Sequence, residues 1–407
     1  MRIGVVSQWY PPEPAHIPEN LARGLVARGH RVRVLTGFPN YPTGTLYPGY
    51  RQRWADTSVI DGVTVRRVPE YPSHDRSGIR RAASYLSFAA TSSAAAAGYL
   101  RGADVLYVYL TPATVFAAPA LLRALRGTPV VVHMQDIWPE SVVCSSMVPA
   151  GAAGRLIGAA LHAAMRRVYR LATSIAVIAP AMRDIVVARG ADPARVRVVL
   201  NWADESLFRP IEATPTARER IGRRRRCTIM YAGTIGPFQN IEDSVRAAAA
   251  VHDHVDLVLA GSGIGEAAAR DLSTDLGTDN VRFLGRLPMA DMAALYAAAD
   301  FQLVTLKDLP VFRGIIPSKL AAALSCGSPV VASVAGDCAA LVERHDIGLA
   351  CPPGDWRSLA DRFHRAATLP AGERAAMGRR ALDCYRTRMS QQAGIGLLED
   401  MLREAAR

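Results

Sequence analysis

Short β-branched runs alternate with helical stretches along this chain in two successive series, and that alternation restricts the fold more than any other feature of the sequence. The first series predicts strands near Ile3 to Ser7, Val32 to Thr36, Val63 to Val68, Val105 to Tyr109, Val130 to Met134, Ser174 to Ile178 and Val196 to Leu200. The second predicts strands near Thr228 to Ala232, Asp256 to Ala260, Val281 to Leu284, Phe301 to Val304, Pro329 to Ala332 and Gly348 to Cys351. Apolar runs of this length joined through helices form parallel sheets with crossover connections, so each series implies one doubly wound α/β domain. The 407 residues, half of them apolar, are enough to bury two such cores. The boundary falls between Asn201 and Gly222, ahead of the arginine-rich turn Gly222 to Arg226.

In the second series, RGIIPSKLAAALSCGSPVVAS (residues 313–333) reads as a loop, a helix and a buried strand in succession. Pro317 stands where a helix can begin, with Ser318 and Lys319 in its first turn. Unpaired backbone N–H groups and the positive end of the helix dipole favour an anion there, and Lys319 adds a mobile positive charge. The chain has only two lysines, Lys307 and Lys319, against 46 arginines, and both flank this loop. The turns YAGTIGPFQN, AGSGIG and FLGRLP each follow a predicted strand, so they are expected to converge with this loop on one cleft beyond the carboxyl ends of the strands. Gly233, Gly236, Gly261 and Gly263 would allow close approach of backbone to a nucleotide. Neither first strand leads into GxGxxG, and the prolines of QWYPPEPAH cannot supply an amide-lined pyrophosphate turn, which disfavours a nicotinamide or flavin enzyme.

Charge divides the chain unevenly. Residues 1–200 carry 23 arginines against 11 acidic residues, whereas residues 201–407 carry 25 basic and 25 acidic, so the net charge of +12 belongs to the first half. A basic half suits a phosphorylated substrate or an anionic membrane; nucleic acid is the weakest partner, since no recognition motif accompanies the charge. The stretch 82–100 is long but rich in Ala, Ser and Thr, which predicts a packed or interfacial helix rather than a membrane span. Residues 154–172 mix apolar residues with Arg155, Arg166, Arg167 and Arg170, a pattern that fits either an anionic bilayer surface or a helix with one buried face. The six cysteines, Cys144, Cys227, Cys326, Cys338, Cys351 and Cys384, form no CxxC pair and no metal-ligand spacing, which fits reduced thiols and no structural zinc. The opening RIGVVSQWYPP predicts a core strand and not a signal peptide, so a cytosolic protein is expected.

Two motifs of the first half follow strands. GFPNYPTG (residues 37–44) offers the amide of Asn40 and the rings of Phe38 and Tyr41 for carbohydrate contact. HMQDIWPES (residues 133–141) places Gln135, Asp136, Trp138 and Glu140 at a strand's carboxyl end. Asp136 has two open roles, accepting a hydrogen bond from a sugar hydroxyl or the acceptor's proton, or capping the next helix. His133 reads as a packed core residue, and His16 in the first loop as the freer candidate.

Taken in order, SQWYPPE, GHRVRVLTGFPNYPTG, QDIWPES, NWADESLF, YAGTIG, FLGRLP and PSKL…CGSPVVAS resemble the retaining GT-B glycosyltransferases of family four. The resemblance is strongest to the fucosamine and colanic-acid transferase branch of bacterial surface polysaccharide synthesis, and it extends to about Pro353. It implies two Rossmann-like domains facing a central cleft, an acceptor domain at 1–203, a nucleotide-sugar domain at 204–385, and a final helix within 386–407 that crosses back. It implies transfer from a nucleotide-sugar, UDP-sugar being favoured, with retention and with neither metal nor cofactor, to a sugar on a lipid diphosphate at the inner face of the membrane. Lys319, Arg313 and Lys307 would stabilise the departing diphosphate, with Gly233, Thr234, Gly261, Ser262, Leu284, Arg286, Gly314, Ile315, Ile316, Pro317 and Ser318 around the donor. Asp136 would orient the acceptor, with His16, Asn40, Tyr41, Gln135, Trp138 and Glu140 around it.

The sequence also departs from that family. Gly314 and Ala322 stand where two glutamates are usual, Pro237, Phe238 and Gln239 where a basic residue is usual, Gln135 where a His precedes the Asp, and Pro14 and Ala15 where glycines are usual. A soluble natural-product acceptor, a GT-B sugar-nucleotide epimerase and a catalytically silent assembly partner are the alternative readings.

Overall fold

The computed structural model describes residues 1–54, 56–74, 77–141 and 151–407. Its contacts divide the chain into two units, residues 1–199 with 395–407, and residues 200–394. The division falls a little before the boundary read from the sequence, and the returning segment starts inside the last helix rather than at 386. Cys144 lies outside the described residues; the other five cysteines are free thiols.

In the first unit the strands are β1 (Arg2–Val6), β2 (Arg31–Gly37), β3 (Asp56–Ile60), β4 (Val63–Val68), β5 (Val105–Leu110), β6 (Val130–Met134), β7 (Ser174–Val177) and β8 (Val196–Val198). They lie in the order β3-β4-β2-β1-β5-β6-β7-β8, parallel except for the β3–β4 pair. Helices α1 (His16–Ala27), α2 (Gly78–Tyr99), α3 (Ala117–Arg126), α4 (Ala152–Leu171) and α5 (Pro180–Ala188) make the connections. Every residue of β6 is buried, as continuous apolar runs in a sheet covered on both faces require. β3 escaped the sequence reading because it is an edge strand with almost no burial and so no apolar pattern. The signal for it was local: Asp61 and Gly62, at φ of 49° and 78°, make a two-residue left-handed turn that pairs Ile60 with Val63.

In the second unit α6 (Pro215–Ile221) precedes β9 (Cys227–Ala232), α7 (Ile241–Ala250), β10 (Val255–Ala260), α8 (Glu266–Asp275), β11 (Val281–Gly285), α9 (Met292–Ala298) and β12 (Phe301–Thr305). There follow α10 (Ser318–Ser325), β13 (Val330–Ser333), α11 (Asp337–Arg344), β14 (Gly348–Cys351), α12 (Trp356–Thr368), α13 (Ala371–Arg388) and α14 (Gln391–Ala405). The order β11-β10-β9-β12-β13-β14 is a parallel doubly wound sheet whose direction of winding reverses between β9 and β12. In the first unit the same reversal lies between β1 and β5. Loops leaving those strands are therefore where a ligand is expected.

The arginine-rich turn is structural. Asp256, fully buried in β10, accepts from the backbone N–H groups of Arg224 (2.7 Å) and Arg225 (2.8 Å), while the Arg225 side chain reaches Asp279 at 2.6 Å and Arg223 reaches Asp300 at 3.4 Å. The last part of α14 joins the first unit through Gly24, whose missing side chain leaves room for Ile395, and through Glu399. Burial would raise the Glu399 carboxyl, but hydrogen bonds from His30 and Arg403 and the Arg28 charge hold it down to about 2.

Candidate functional site

In the second unit four loops meet at the carboxyl end of the sheet. Gly233 N–H donates to Ala260 O (2.9 Å), Ile235 N–H to Ser262 O (3.0 Å), Gly265 N–H to Ile235 O (3.0 Å) and Gly261 N–H to Gly285 O (2.8 Å), which laces the turns after β9, β10 and β11 together. Gly261 and Gly263 allow it: at φ of 154° and 157°, an added Cβ would overlap the carbonyl oxygens of Gly233 and Ile235. The fourth loop, after β12, is tied in by Lys307 N–H donating to Phe238 O (2.8 Å) and by the Phe238 and Phe312 rings, 5.5 Å apart. Thus the turn that lacks a basic residue holds the Lys307 backbone against it, with the Lys307 side chain exposed.

Lys319 lies under this junction. A Cβ on Gly233 would stand 2.6 Å from Lys319 Cε and 3.1 Å from its Nζ, and Nζ sits 5.2 Å from the Tyr231 ring centroid. Burial lowers the Lys319 pKa, and no carboxylate among the described residues counters that effect. A desolvated cation without a counter-ion, at the first turn of α10, attracts an anion strongly. Pro317 precedes that helix and no side chain caps it; the Leu320 N–H turns back to the Pro317 carbonyl at 2.9 Å, and the Ser318 and Lys319 amides stay available to a ligand.

The other donor-side candidates are distributed unequally around Lys319. Thr234, Ser262, Arg286 and Ser318 are exposed around the laced turns, Ile315, Ile316 and Pro317 are half-buried along the approach to α10, and Gly314 is buried at the end of a short 3₁₀ turn. Leu284 packs against the apolar core. Arg313 is not a lone cation: its exposed guanidinium is forked onto the exposed Asp308 at 3.0 and 3.2 Å, a surface pair that a diphosphate would have to compete with. Ala322, 6% exposed, is a core residue.

In the first unit the loops after β1, β2, β4, β5 and β6 converge likewise. The rings of Trp9 and Tyr41 lie 4.9 Å apart at 34°, and His74 meets Tyr41 edge-on at 4.8 Å, forming an aromatic shelf that the sequence reading saw only at Tyr41. Asp136 accepts from the Thr111 hydroxyl at 2.7 Å, and burial raises its pKa. That bond, and not a helix cap, is what it makes among the described residues. Tyr41, Tyr85 and Tyr109 lie close enough for the Asp136 charge to act on each of them.

Several acceptor-side candidates serve other purposes. The Phe38 ring, expected to face a sugar, is fully buried in the core; Asn40 is 2% exposed and its amide donates to Phe38 O (2.9 Å) and Glu70 (2.8 Å), so it positions the loop instead of facing a ligand. Glu140 is forked onto Arg189 at 2.6 and 3.0 Å; burial raises its pKa, but the guanidinium holds it below the usual range. Gln135 and Trp138 are each 8% exposed, and the Trp138 carbonyl accepts from Arg189. His16 begins α1 and is half-buried. His133 is core: it bonds the Tyr107 hydroxyl at 2.7 Å, and burial lowers its pKa to about 3.

Two buried acids that the sequence did not single out hold this surface in place. Glu13 accepts from the backbone N–H groups of Tyr10 (3.1 Å), Asn40 (2.9 Å) and Tyr41 (2.8 Å), so one carboxylate joins the first and second loops beneath the shelf. Glu70 accepts from Gln8 (2.6 Å) and Asn40 (2.8 Å); burial, then the Glu13 charge, raises its pKa well above the carboxylate range. A carboxyl raised in the folded state favours folding at low pH, so this contribution is full below about pH 4, where the unfolded chain is also protonated, and falls as pH rises through the folded value. Glu70→Gln is expected to reduce that fall, with Gln8 turning its unpartnered Oε1 toward the new amide. Urea midpoints of both proteins at pH 5 and pH 8 measure it; an unchanged difference between the two pH values would contradict the assignment.

The comparisons agree with this architecture. Residues 14–202 match the family "Glycosyl transferase 4-like domain" and residues 226–368 match "Glycosyl transferases group 1". WcaI of Escherichia coli (strain K12), named for colanic acid biosynthesis glycosyl transfer, is 26% identical over 81% of this chain and 83% of its own length. WbjE of Pseudomonas aeruginosa, named as a glycosyltransferase, is 27% identical over 64% of this chain and 65% of its own length. The crystal structure of Anabaena Alr3699/HepE in complex with UDP superposes with a TM-score of 0.72 at 19% identity, covering 99% of this chain and 100% of that one, which establishes likeness of fold. The chain belongs to glycosyltransferase family four and has the GT-B fold.

Proposed function

We propose that this glycosyltransferase moves a sugar from a nucleotide-sugar, with a UDP-sugar as the favoured donor, onto a lipid-linked saccharide of bacterial surface polysaccharide synthesis, with retention at the anomeric carbon. The observation that carries the donor half is Lys319, desolvated beneath Gly233 at the first turn of α10 and without a counter-charge among the described residues. Departure of the nucleoside diphosphate builds negative charge at that place, and a preorganised cation with free helix amides stabilises it as it forms. UDP in a structure of like fold supports the choice of base. Front-side attack lets the leaving phosphate oxygen take the acceptor's proton, so Asp136, held by Thr111, orients the acceptor hydroxyl, and no metal enters the reading. The Trp9–Tyr41 shelf presents apolar ring faces of the kind that stack on a sugar.

For the acceptor, the colanic-acid name of WcaI and the surface of the first unit support a membrane-bound substrate. Ile79 and Leu86 on α2 are 85% and 61% exposed, and Leu156 and Ile157 on α4 are 73% and 40% exposed beside the exposed arginines Arg155, Arg166, Arg167 and Arg170. No helix among the described residues is long and apolar enough to cross a membrane. The reading is therefore peripheral attachment to an anionic leaflet.

Thermal melting against UDP-, GDP-, TDP- and CMP-sugars tests the donor, a UDP-sugar being expected to raise the midpoint by mass action. Transfer to membrane extracts of a polysaccharide-producing bacterium, with the product's anomeric configuration read by NMR, tests the rest. No shift with any nucleotide would bring the silent-partner reading forward, and consumption of a donor without acceptor would favour the epimerase.

A further inference from the structure

The amino-terminal end of the first unit's sheet carries a second basic site, independent of the transfer reaction. Strand pairing sets Arg2 opposite Arg31, Gly4 opposite Arg33 and Thr64 opposite Arg33, with Arg66 two residues further along β4. Paired residues of a parallel sheet share a face, so four arginines project from one side. The end of α2, followed by Arg101, completes a cavity of about 260 Å³ lined by Arg2, Arg31, Arg33 and Arg101. It is small beside ordinary ligand pockets of roughly 300–1,000 Å³.

Two of these arginines are fixed by packing. Arg33 donates to the Tyr99 carbonyl at 3.1 Å, and Arg33 and Arg66 stand 5.9 and 4.3 Å from the Tyr99 ring centroid. Arg2 is forked onto Asp104 at 3.1 and 2.7 Å, the one carboxylate paired with the group among the described residues. The exposed side chains of Arg31 and Arg101 have no described partner. Four guanidinium groups thus line the cavity with one carboxylate between them, and Arg66 adds its charge outside the cavity, on the Tyr99 ring beside Arg33. At the corresponding end of the second unit's sheet, by contrast, Arg223, Arg225 and Arg374 are paired with three aspartates, Asp300, Asp256 and Asp279. Like charges gathered around a cavity repel one another unless an anion joins them.

We propose that this cavity binds a small ligand bearing two or more negative charges, of the diphosphate or phosphate-ester type. Guanidinium forks match phosphate oxygens in pairs, and several converging forks favour a multiply charged group over a single carboxylate. The cavity opens at the start of β1 and the aromatic shelf at its end. Five residues at ~3.3 Å each separate them by roughly 15 Å, so the ligand is distinct from a sugar acceptor on the shelf.

Calorimetric titration with pyrophosphate tests the site, in the Lys319→Ala background so that the donor loop is silent. One pyrophosphate per chain is expected, with binding at least tenfold weaker after Arg31→Ala and Arg101→Ala together; both side chains are exposed, so the variant's circular dichroism should match the parent's. Arg166→Ala with Arg167→Ala on α4 controls for general surface charge and should leave pyrophosphate binding unchanged. Cosedimentation with vesicles of 30% phosphatidylglycerol distinguishes the sources: binding to vesicles but not to pyrophosphate, lost in the Arg31/Arg101 variant, makes a lipid headgroup the ligand and keeps the site. Absence of both, or equal binding with and without Arg31 and Arg101, overturns it.

Discussion

Lys319→Ala should lower kcat/KM for sugar transfer by about 100- to 1,000-fold, the loss that follows removal of one preorganised group aimed at developing charge. The side chain is well placed for that role and poorly placed for a structural one. It lies against Gly233 and Tyr231, burial lowers its pKa, and no described carboxylate pairs with it. Deleting a desolvated, uncompensated ammonium should therefore leave thermal stability without ligand unchanged or slightly raised. Donor-induced stabilisation should disappear together with activity. Lys319→Arg should recover little, because the larger planar group must fit where a Cβ on Gly233 would already stand 2.6 Å from Lys319 Cε. Near wild-type transfer by Lys319→Ala would remove the site from consideration, and a large fall in ligand-free stability would make Lys319 structural.

Gly261→Ala is expected to be nearly as damaging by a different route. At φ of 154° the new Cβ would overlap the Gly233 carbonyl oxygen, and that atom belongs to backbone, which cannot swing aside as a side chain does. The turns after β9 and β10 must separate, breaking the Gly233 to Ala260 and Ile235 to Ser262 bonds and shifting the floor above Lys319. Destabilisation of the second unit by roughly 3 kcal/mol or more is expected, from backbone strain combined with lost hydrogen bonds. Urea unfolding followed through that unit measures it, and UDP-sugar binding should be lost at temperatures where the variant remains folded. Gly277→Ala makes the comparison: Gly277 also has a positive φ, 60°, but nothing lies within 4 Å of its missing Cβ, so only the local conformational cost of about 1 kcal/mol should appear. Similar effects at both positions would show that the turn contact is unimportant.

Much of this architecture was legible because the relevant forces act at short range in sequence. Strands buried on both faces must be almost continuously apolar, so β1, β5, β6, β9, β10, β12 and β13 stood out, whereas β3, with water on both sides, had only its Asp61–Gly62 turn to announce it. The glycines at 233, 261 and 263 and the Pro317–Ser318–Lys319 helix start were readable for the same reason, since conformational freedom and unpaired helix amides are properties of a few consecutive residues.

Which side chains are available to a ligand was not local. Arg313 and Asn40 looked like binding groups until Asp308 and Glu70 were found to occupy them, and Glu140 until Arg189, 49 residues away, took its carboxylate. Glu13 and Glu70 gained their importance only by burial between loops that the sheet brings together, and Trp9 and His74 became a shelf only once Tyr41 was folded between them. Hydrophobic periodicity and backbone chemistry are written residue by residue, so the two doubly wound sheets, the places where their loops must gather, and the family all follow from the order of residues. Folding in three dimensions settled which charges are paired, which remain, and that Lys319 is left desolvated with no counter-ion among the described residues, because solvation and charge pairing depend on neighbours far away in the chain.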